Sequence, residues 1–195
     1  IIIVSNSHSE TDNTKLIDNY EVNILINDAN KFQKLTQYDY EIECYSKIIN
    51  FDPSRYEIFF KRGLANSNLY YFNILHSNYD EKYNKLAISD YNEAISRGFN
   101  SYEVYLNLGV SLFNNKEIDL ALKNFEKVIS INPKHPNSYI FISRVYDNKN
   151  DKENSIKYQM AAIDISPEIF HGYEEYFSTD ISDEYFYENH MLIEK

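Results

Sequence analysis

Three stretches of the chain carry the same order of apolar and polar positions, and each stops at a proline. They are Tyr45-Ser-Lys-Ile-Ile-Asn-Phe-Asp-Pro53, Phe125-Glu-Lys-Val-Ile-Ser-Ile-Asn-Pro133 and Gln159-Met-Ala-Ala-Ile-Asp-Ile-Ser-Pro167. Apolar residues recur three and four places apart in them, the spacing that gathers side chains on one face of an α-helix. Proline lacks an amide hydrogen and disfavours helical backbone in the residue before it, so each stretch predicts a helix that ends just short of its proline. Pro133 and Pro167 are 34 residues apart, and Pro53 lies 80 residues before Pro133, two such periods and twelve residues more. A fixed period of this size predicts stacked helical units, one of them carrying a 12-residue insertion.

The region before Pro133 shows how a unit is built. Tyr105-x2-Leu108-Gly109-x2-Leu112 predicts a first helix (A) with a small residue amid large ones, and Ala121-x3-Phe125 predicts a second (B). A glycine on one helix facing an alanine on the other lets two antiparallel helices approach closely, while Tyr105, Leu108, Leu112 and Phe125 fill the space between successive pairs. Identity and spacing over this whole period resemble the tetratricopeptide repeat, whose pattern is W-x2-L-G-x2-Y, A-x3-F and P with a period of 34. Tyr105 stands for the Trp and Leu112 for the Tyr.

Extending this frame divides the chain into a polar N-terminal segment (1–21) leading into the first helix, four repeat-like units (22–55, 56–101 with the insertion, 102–135 and 136–169) and an acidic helical C-terminal cap (170–195). The departures carry information. Glu41 takes the small inter-helix place in the first unit, which requires looser packing there or a Glu41 that leans out to solvent. Ile48 takes a second small place. The second unit has no closing proline; Arg97-Gly98-Phe99 provides a glycine stop instead. The insertion, with Leu69-Tyr70-Tyr71-Phe72-Asn73-Ile74-Leu75, keeps helical spacing and predicts longer helices with a turn near 76–80. Leu16, Ile17 and Tyr20 predict that the first helix extends backward, whereas 5–13 is polar, lacks periodicity and reads as poorly ordered. Glu168–Phe177 and Ser182–Ile193 read as capping helices. The chain starts at Ile1 and not Met, as a piece of a longer polypeptide would.

Composition narrows the function. With 19 Lys and Arg against 30 Asp and Glu the net charge is −11, unsuited to a phosphate backbone. Most of the excess sits in 168–195, where Lys195 is the single base among eight acids. Cys44 is the only cysteine, which excludes an internal disulfide and a multi-cysteine zinc site, and it reads as a buried or half-buried thiol. None of the five histidines pairs at the i,i+4 spacing of a helical metal site, and glycines do not cluster as phosphate loops require. Adjacent acids such as Asp80-Glu81 diverge on a helix and cannot flank a substrate. No catalytic constellation, metal or cofactor is expected. Without a signal peptide or an apolar run of membrane length, a cytoplasmic location is favoured.

The resemblance implies an all-α fold, a right-handed superhelical solenoid of antiparallel helix pairs whose concave face is lined by the A helices. It implies a non-catalytic scaffold that binds a protein, peptide or partner helix in that groove; the alternative is a structural module of a larger polypeptide, self-associating through its caps. Groove positions carried over repeat by repeat give an apolar strip of Phe60, Leu64, Leu106, Val110, Phe113 and Ile140, with Arg144 the lone cation beside it. Those side chains either meet a ligand or lie half-buried between neighbouring A helices, and the C-terminal segment is a further occupant. Chaperone-binding relatives hold a terminal carboxylate with Lys, Asn and Arg. Ile26, Asn30, Lys61, Glu103 and Asn107 at the matching places of units one to three, and Phe60, Leu64, Asn107, Asn137 and Phe141 in units two to four, form no such cationic clamp. A nucleic-acid partner and membrane insertion are not expected.

Overall fold

The computed structural model describes residues 7–78 and 80–168, with side chains from Asn19 onward. Among the described residues there are eight helices and no strand. They are α1 (Ser7–Lys34), α2 (Tyr38–Phe51), α3 (Tyr56–Leu75), α4 (Glu81–Ser96), α5 (Tyr102–Asn114), α6 (Ile118–Ile131), α7 (Pro136–Asn148) and α8 (Lys152–Ile165). The chain forms two compact units, the first ending at Phe99 and the second starting at Asn100. In the first, α1 packs on α2, α2 on α3 and α3 on α4; in the second, α5 packs on α6, α6 on α7 and α7 on α8. Each unit is thus a stack of two helical hairpins, and the fold class is the all-α helical-repeat solenoid.

The hairpin turns share one backbone device. Thr36, Ser77, Lys116 and Asn150 sit at φ between 55° and 64°, one in each turn. Behind each, an amide closes back on the carbonyl five residues earlier: Gln37 to Phe32, Asn78 to Asn73, Glu117 to Leu112 and Asp151 to Tyr146, at 2.8–2.9 Å. This left-handed cap satisfies carbonyls that the first helix leaves open. No glycine marks any of the four, so composition gave no hint of it.

The second helix of three hairpins ends in a different way. Asp52, Asn132 and Ser166 have ψ of 86°, 85° and 89°, and their amides bond to Ile48, Val128 and Ala162. Each precedes a proline, whose ring forces its neighbour out of the helical region. The α3–α4 hairpin ends on Gly98 instead, at φ 101°, with the Phe99 amide on the Ala94 carbonyl at 2.9 Å. The additional residues of this hairpin lengthen its helices: α3 has 20 residues and α4 has 16, against 13 and 14 in α5 and α6.

Hairpin closure rests on small-against-aromatic packing. A Cβ on Gly63 would lie 2.6 Å from the Tyr91 ring, and one on Gly109 would lie 2.6 Å from the Phe125 ring. The nearest neighbour of Gly109 is therefore this ring and not Ala121. Phe125 also stacks on Phe141 of the next hairpin at 5.1 Å, so one side chain serves both contacts. Ala29 with Tyr45 and Ser143 with Gln159 occupy the equivalent places in the outer hairpins, all four buried.

Of the two alternatives for Glu41, leaning out to solvent is excluded: it is 1% exposed, because its position on α2 faces neighbouring helices whatever residue occupies it. α1 is helical from Ser7, and extending an existing helix adds one hydrogen bond per residue fixed. The capping helices expected after Glu168, and the tail's acidic surface, lie outside the described residues.

Candidate functional site

Within the first unit, α1, α2 and α3 enclose a cleft of about 330 Å³. Asn30 and Gln33 line it from α1, Glu41 and Tyr45 from α2, Glu57, Phe60, Lys61 and Leu64 from α3, and Phe99 from the segment after α4. Helical spacing explains the α3 contribution: 57, 60, 61 and 64 fall on one face. The opposite face of α3, with Ile58, Phe59, Ala65 and Leu69, is buried. The cleft is apolar and aromatic along Tyr45, Phe60, Leu64 and Phe99. Phe60 is held in position by ring contacts with Phe99 at 4.9 Å and Tyr91 at 5.9 Å.

Glu41 is the chemically unusual member. Both carboxylate oxygens are buried and neither makes a hydrogen bond of good geometry. Burial pushes its carboxyl up to about 7, against the lowering influence of the Tyr45 hydroxyl and then the Lys61 ammonium. Tyr45 is itself pushed up to about 12, by burial first and by Glu41 next. A carboxylate denied both water and a partner is costly in its charged form.

A second polar cluster in this unit is bonded across helices, although the Asn66 Oδ1 within it is buried without a hydrogen bond. Arg62 grips Asp90 through two bonds, of 2.7 and 3.0 Å, and reaches Ser46 on α2 at 3.1 Å; Asn66 adds a bond to Asp90 at 3.2 Å. Arg62 and Asp90 directly precede Gly63 and Tyr91, so the register that seats the ring on the glycine also joins the ion pair. This network ties α2, α3 and α4 together. Sequence reading missed it, although a charged pair beside two packing positions was its visible sign.

The strip residues expected from sequence separate by unit. Phe60 and Leu64 are half-buried in the cleft wall of the first unit. In the second unit Leu106, Val110 and Phe113 are half-buried along α5, and the Arg144 guanidinium lies 5.9 Å from the centre of the Phe113 ring. Ile140 is 3% exposed and serves packing. Ser67, one turn along α3 from Leu64, is buried with its hydroxyl 2.9 Å from the Tyr91 hydroxyl. Glu41, Tyr45 and Phe99 were not expected at a site; the sign for Glu41 was its occupation of a place where the repeat wants a small residue.

The remaining candidates have local roles. His76 bonds the Phe72 carbonyl and His135 the Ser138 hydroxyl, both near helix ends. Cys44 is buried, and burial raises its thiol above the ordinary range. Among the described residues, no group of His, Cys, Asp and Glu is placed to hold a metal ion. Nor is any described helix long and apolar enough to cross a membrane.

Stacked helical hairpins with an open cleft define a helical-repeat scaffold of the protein-interaction class. Residues 102–135 and 136–169 each match a model of the tetratricopeptide repeat, and the chain is a tetratricopeptide repeat protein. It is similar to RNA polymerase II-associated protein 3 of Mus musculus, 27% identical over 161 residues, which are 83% of this chain and 22% of that one. It is also similar to BBSome complex member BBS4 of Bos taurus, 31% identical over 84 residues, 43% of this chain and 16% of that one. The chain thus spans about a fifth of the length of these curated relatives. Among solved structures, MamA from Desulfovibrio magneticus superposes with a TM-score of 0.66 at 18% identity, over 76% of this chain and 77% of that one. The first such domain of Spaghetti (RPAP3), bound to the HSP90 peptide SRMEEVD, gives 0.55 at 23% identity, over 67% and 97%.

Proposed function

We propose that the chain binds another protein, without catalysis, by taking a peptide or partner helix against the open side of its A helices. The observation that carries this reading is the cleft between α1, α2 and α3, with Phe60 and Leu64 in its wall. Concave pockets with apolar walls and a few polar groups are the usual places for ligands. Half-buried Leu106, Val110 and Phe113 give α5 of the second unit a comparable apolar face. A structural neighbour holds a peptide on repeats of this kind, which supports a peptide as the ligand class. The net charge of −11 supports a protein partner over a nucleic acid.

Selection of displayed random peptides on the immobilised full chain tests this reading. The proposal expects a recurrent peptide motif whose binding is reduced at least tenfold by Phe60→Asp in a variant with unchanged circular dichroism. Recurrent peptides that bind this folded variant equally well would place recognition elsewhere, and no enrichment at all would remove the peptide-binding reading.

A further inference from the structure

The cleft holds more acidic groups than basic ones. Glu41 and Glu57 line it against one cation, Lys61. Glu41 stands where the repeat pattern places alanine, is 1% exposed, and has neither oxygen in a well-aligned hydrogen bond, with the Tyr45 hydroxyl and the Lys61 ammonium close enough to lower its carboxyl. Buried polar groups are nearly always paired, so a carboxylate in a cleft wall with no well-aligned bond has room for a better partner than its own chain supplies. Around it the surfaces are Tyr45, Phe60, Leu64 and Phe99, suited to a hydrocarbon stem and, through ring faces, to a cation.

We propose that the cleft of the first unit recognises a lysine side chain of the partner peptide, its ammonium pairing with the Glu41 carboxylate and its methylenes lying along Phe60, Leu64 and Phe99. This rests on the peptide-binding reading above and names what the peptide must present. Lys61 borders Glu41 on a long flexible stem, and its withdrawal opens the way for the incoming ammonium. The acidic HSP90 peptide held by the structural neighbour is the wrong charge for this cleft. A charge-assisted bond to an enclosed carboxylate is stronger than a neutral one and is costly to leave unmade, which is how one group can set specificity.

Ionisation of Glu41 accompanies binding. The groups facing it are Tyr45 on its own helix, with Cys44 adjacent, and Lys61 and Glu57 on α3; the α1 residues in the cleft, Asn30 and Gln33, are neutral. Burial holds the free carboxyl near 7, so a bound ammonium displaces a proton below that pH and affinity rises as pH passes through it.

The test uses the full chain and two acetylated, amidated nonapeptides, apolar apart from a central lysine in one and norleucine in its twin. Fluorescence anisotropy reads binding at about pH 6 and pH 8. The lysine peptide is expected to bind more tightly than its twin at the higher pH. Its affinity should fall about tenfold at the lower pH, following the ionised fraction of a group titrating near 7. Glu41→Gln should erase both the preference and the pH dependence, and Glu57→Gln should keep them. The wild-type pH arm stands alone if Glu41→Gln does not fold. Equal affinity for the two peptides would overturn lysine recognition while leaving peptide binding in place. A preference that survives in folded Glu41→Gln would also overturn it. No binding of either peptide would remove both readings.

Discussion

At the scale of single residues, Glu41 is where packing and charge conflict most. A carboxyl raised from 4.5 to about 7 by folding favours the protonated form in the native state. The native state is then favoured by this group below pH about 4.5, and the advantage is lost as pH rises through about 7, a swing of about 3 kcal/mol. Urea denaturation of the full chain should show Glu41→Gln flattening that part of the pH profile, while a profile unchanged by the substitution would mean Glu41 is not the group responsible. Gly109 makes the complementary point about volume. An added methyl would gain helix propensity of about 1 kcal/mol but would lie 2.6 Å from a fully buried Phe125 ring. Displacing that ring also disturbs its stack on Phe141, so Gly109→Ala should lower the unfolding free energy by about 1–2 kcal/mol.

At the scale of elements, the hairpin is the unit that decides behaviour. Its closing turn needs one residue in left-handed backbone, and all four turns lack glycine there. Thr36 is the least suited of the four, being β-branched at φ 55°. Left-handed backbone costs an L-residue about 1–2 kcal/mol, and glycine gives back about half of the relief through the freedom it gains when unfolded. Thr36→Gly should therefore stabilise the chain by about 0.5–1 kcal/mol in denaturant titration; a loss would mean that the Thr36 hydroxyl bond to the Leu35 carbonyl, at 2.7 Å, matters more than the backbone strain. The helix ends show which turns were legible. Pro53, Pro133 and Pro167 each force an extended residue before them, so the exits could be read directly. Three of the left-handed turns could not, because Thr36, Ser77 and Lys116 carry no mark of a backbone that the neighbouring hydrogen bonds impose; only Asn150 is of a type that favours it.

At the scale of the molecule, the fold was legible because its determinants repeat. The glycine-to-aromatic register of Gly109 and Phe125 recurs as Gly63 and Tyr91 once the insertion is allowed for, and the resulting contacts differ little in distance. The site was legible only in part. Phe60 and Leu64 follow from the groove positions that the family resemblance implies, whereas the cleft needs α1, α2, α3 and Phe99 together, a tertiary arrangement that no local pattern encodes. Glu41 was visible as an exception to the repeat, but whether it turned outward or inward depended on how tightly three helices pack. Ile140 shows the converse: the resemblance assigns it a groove position, yet its neighbours bury it.

The central claim is that binding happens on the A-helix side of the hairpins. The measurement that tests it most directly is hydrogen–deuterium exchange of the full chain with and without a saturating selected peptide. The account predicts slowed exchange in segments covering 30–33, 41–45 and 57–64. Protection confined to the outward faces of α4, α6 and α8, with those three segments unchanged, would contradict it.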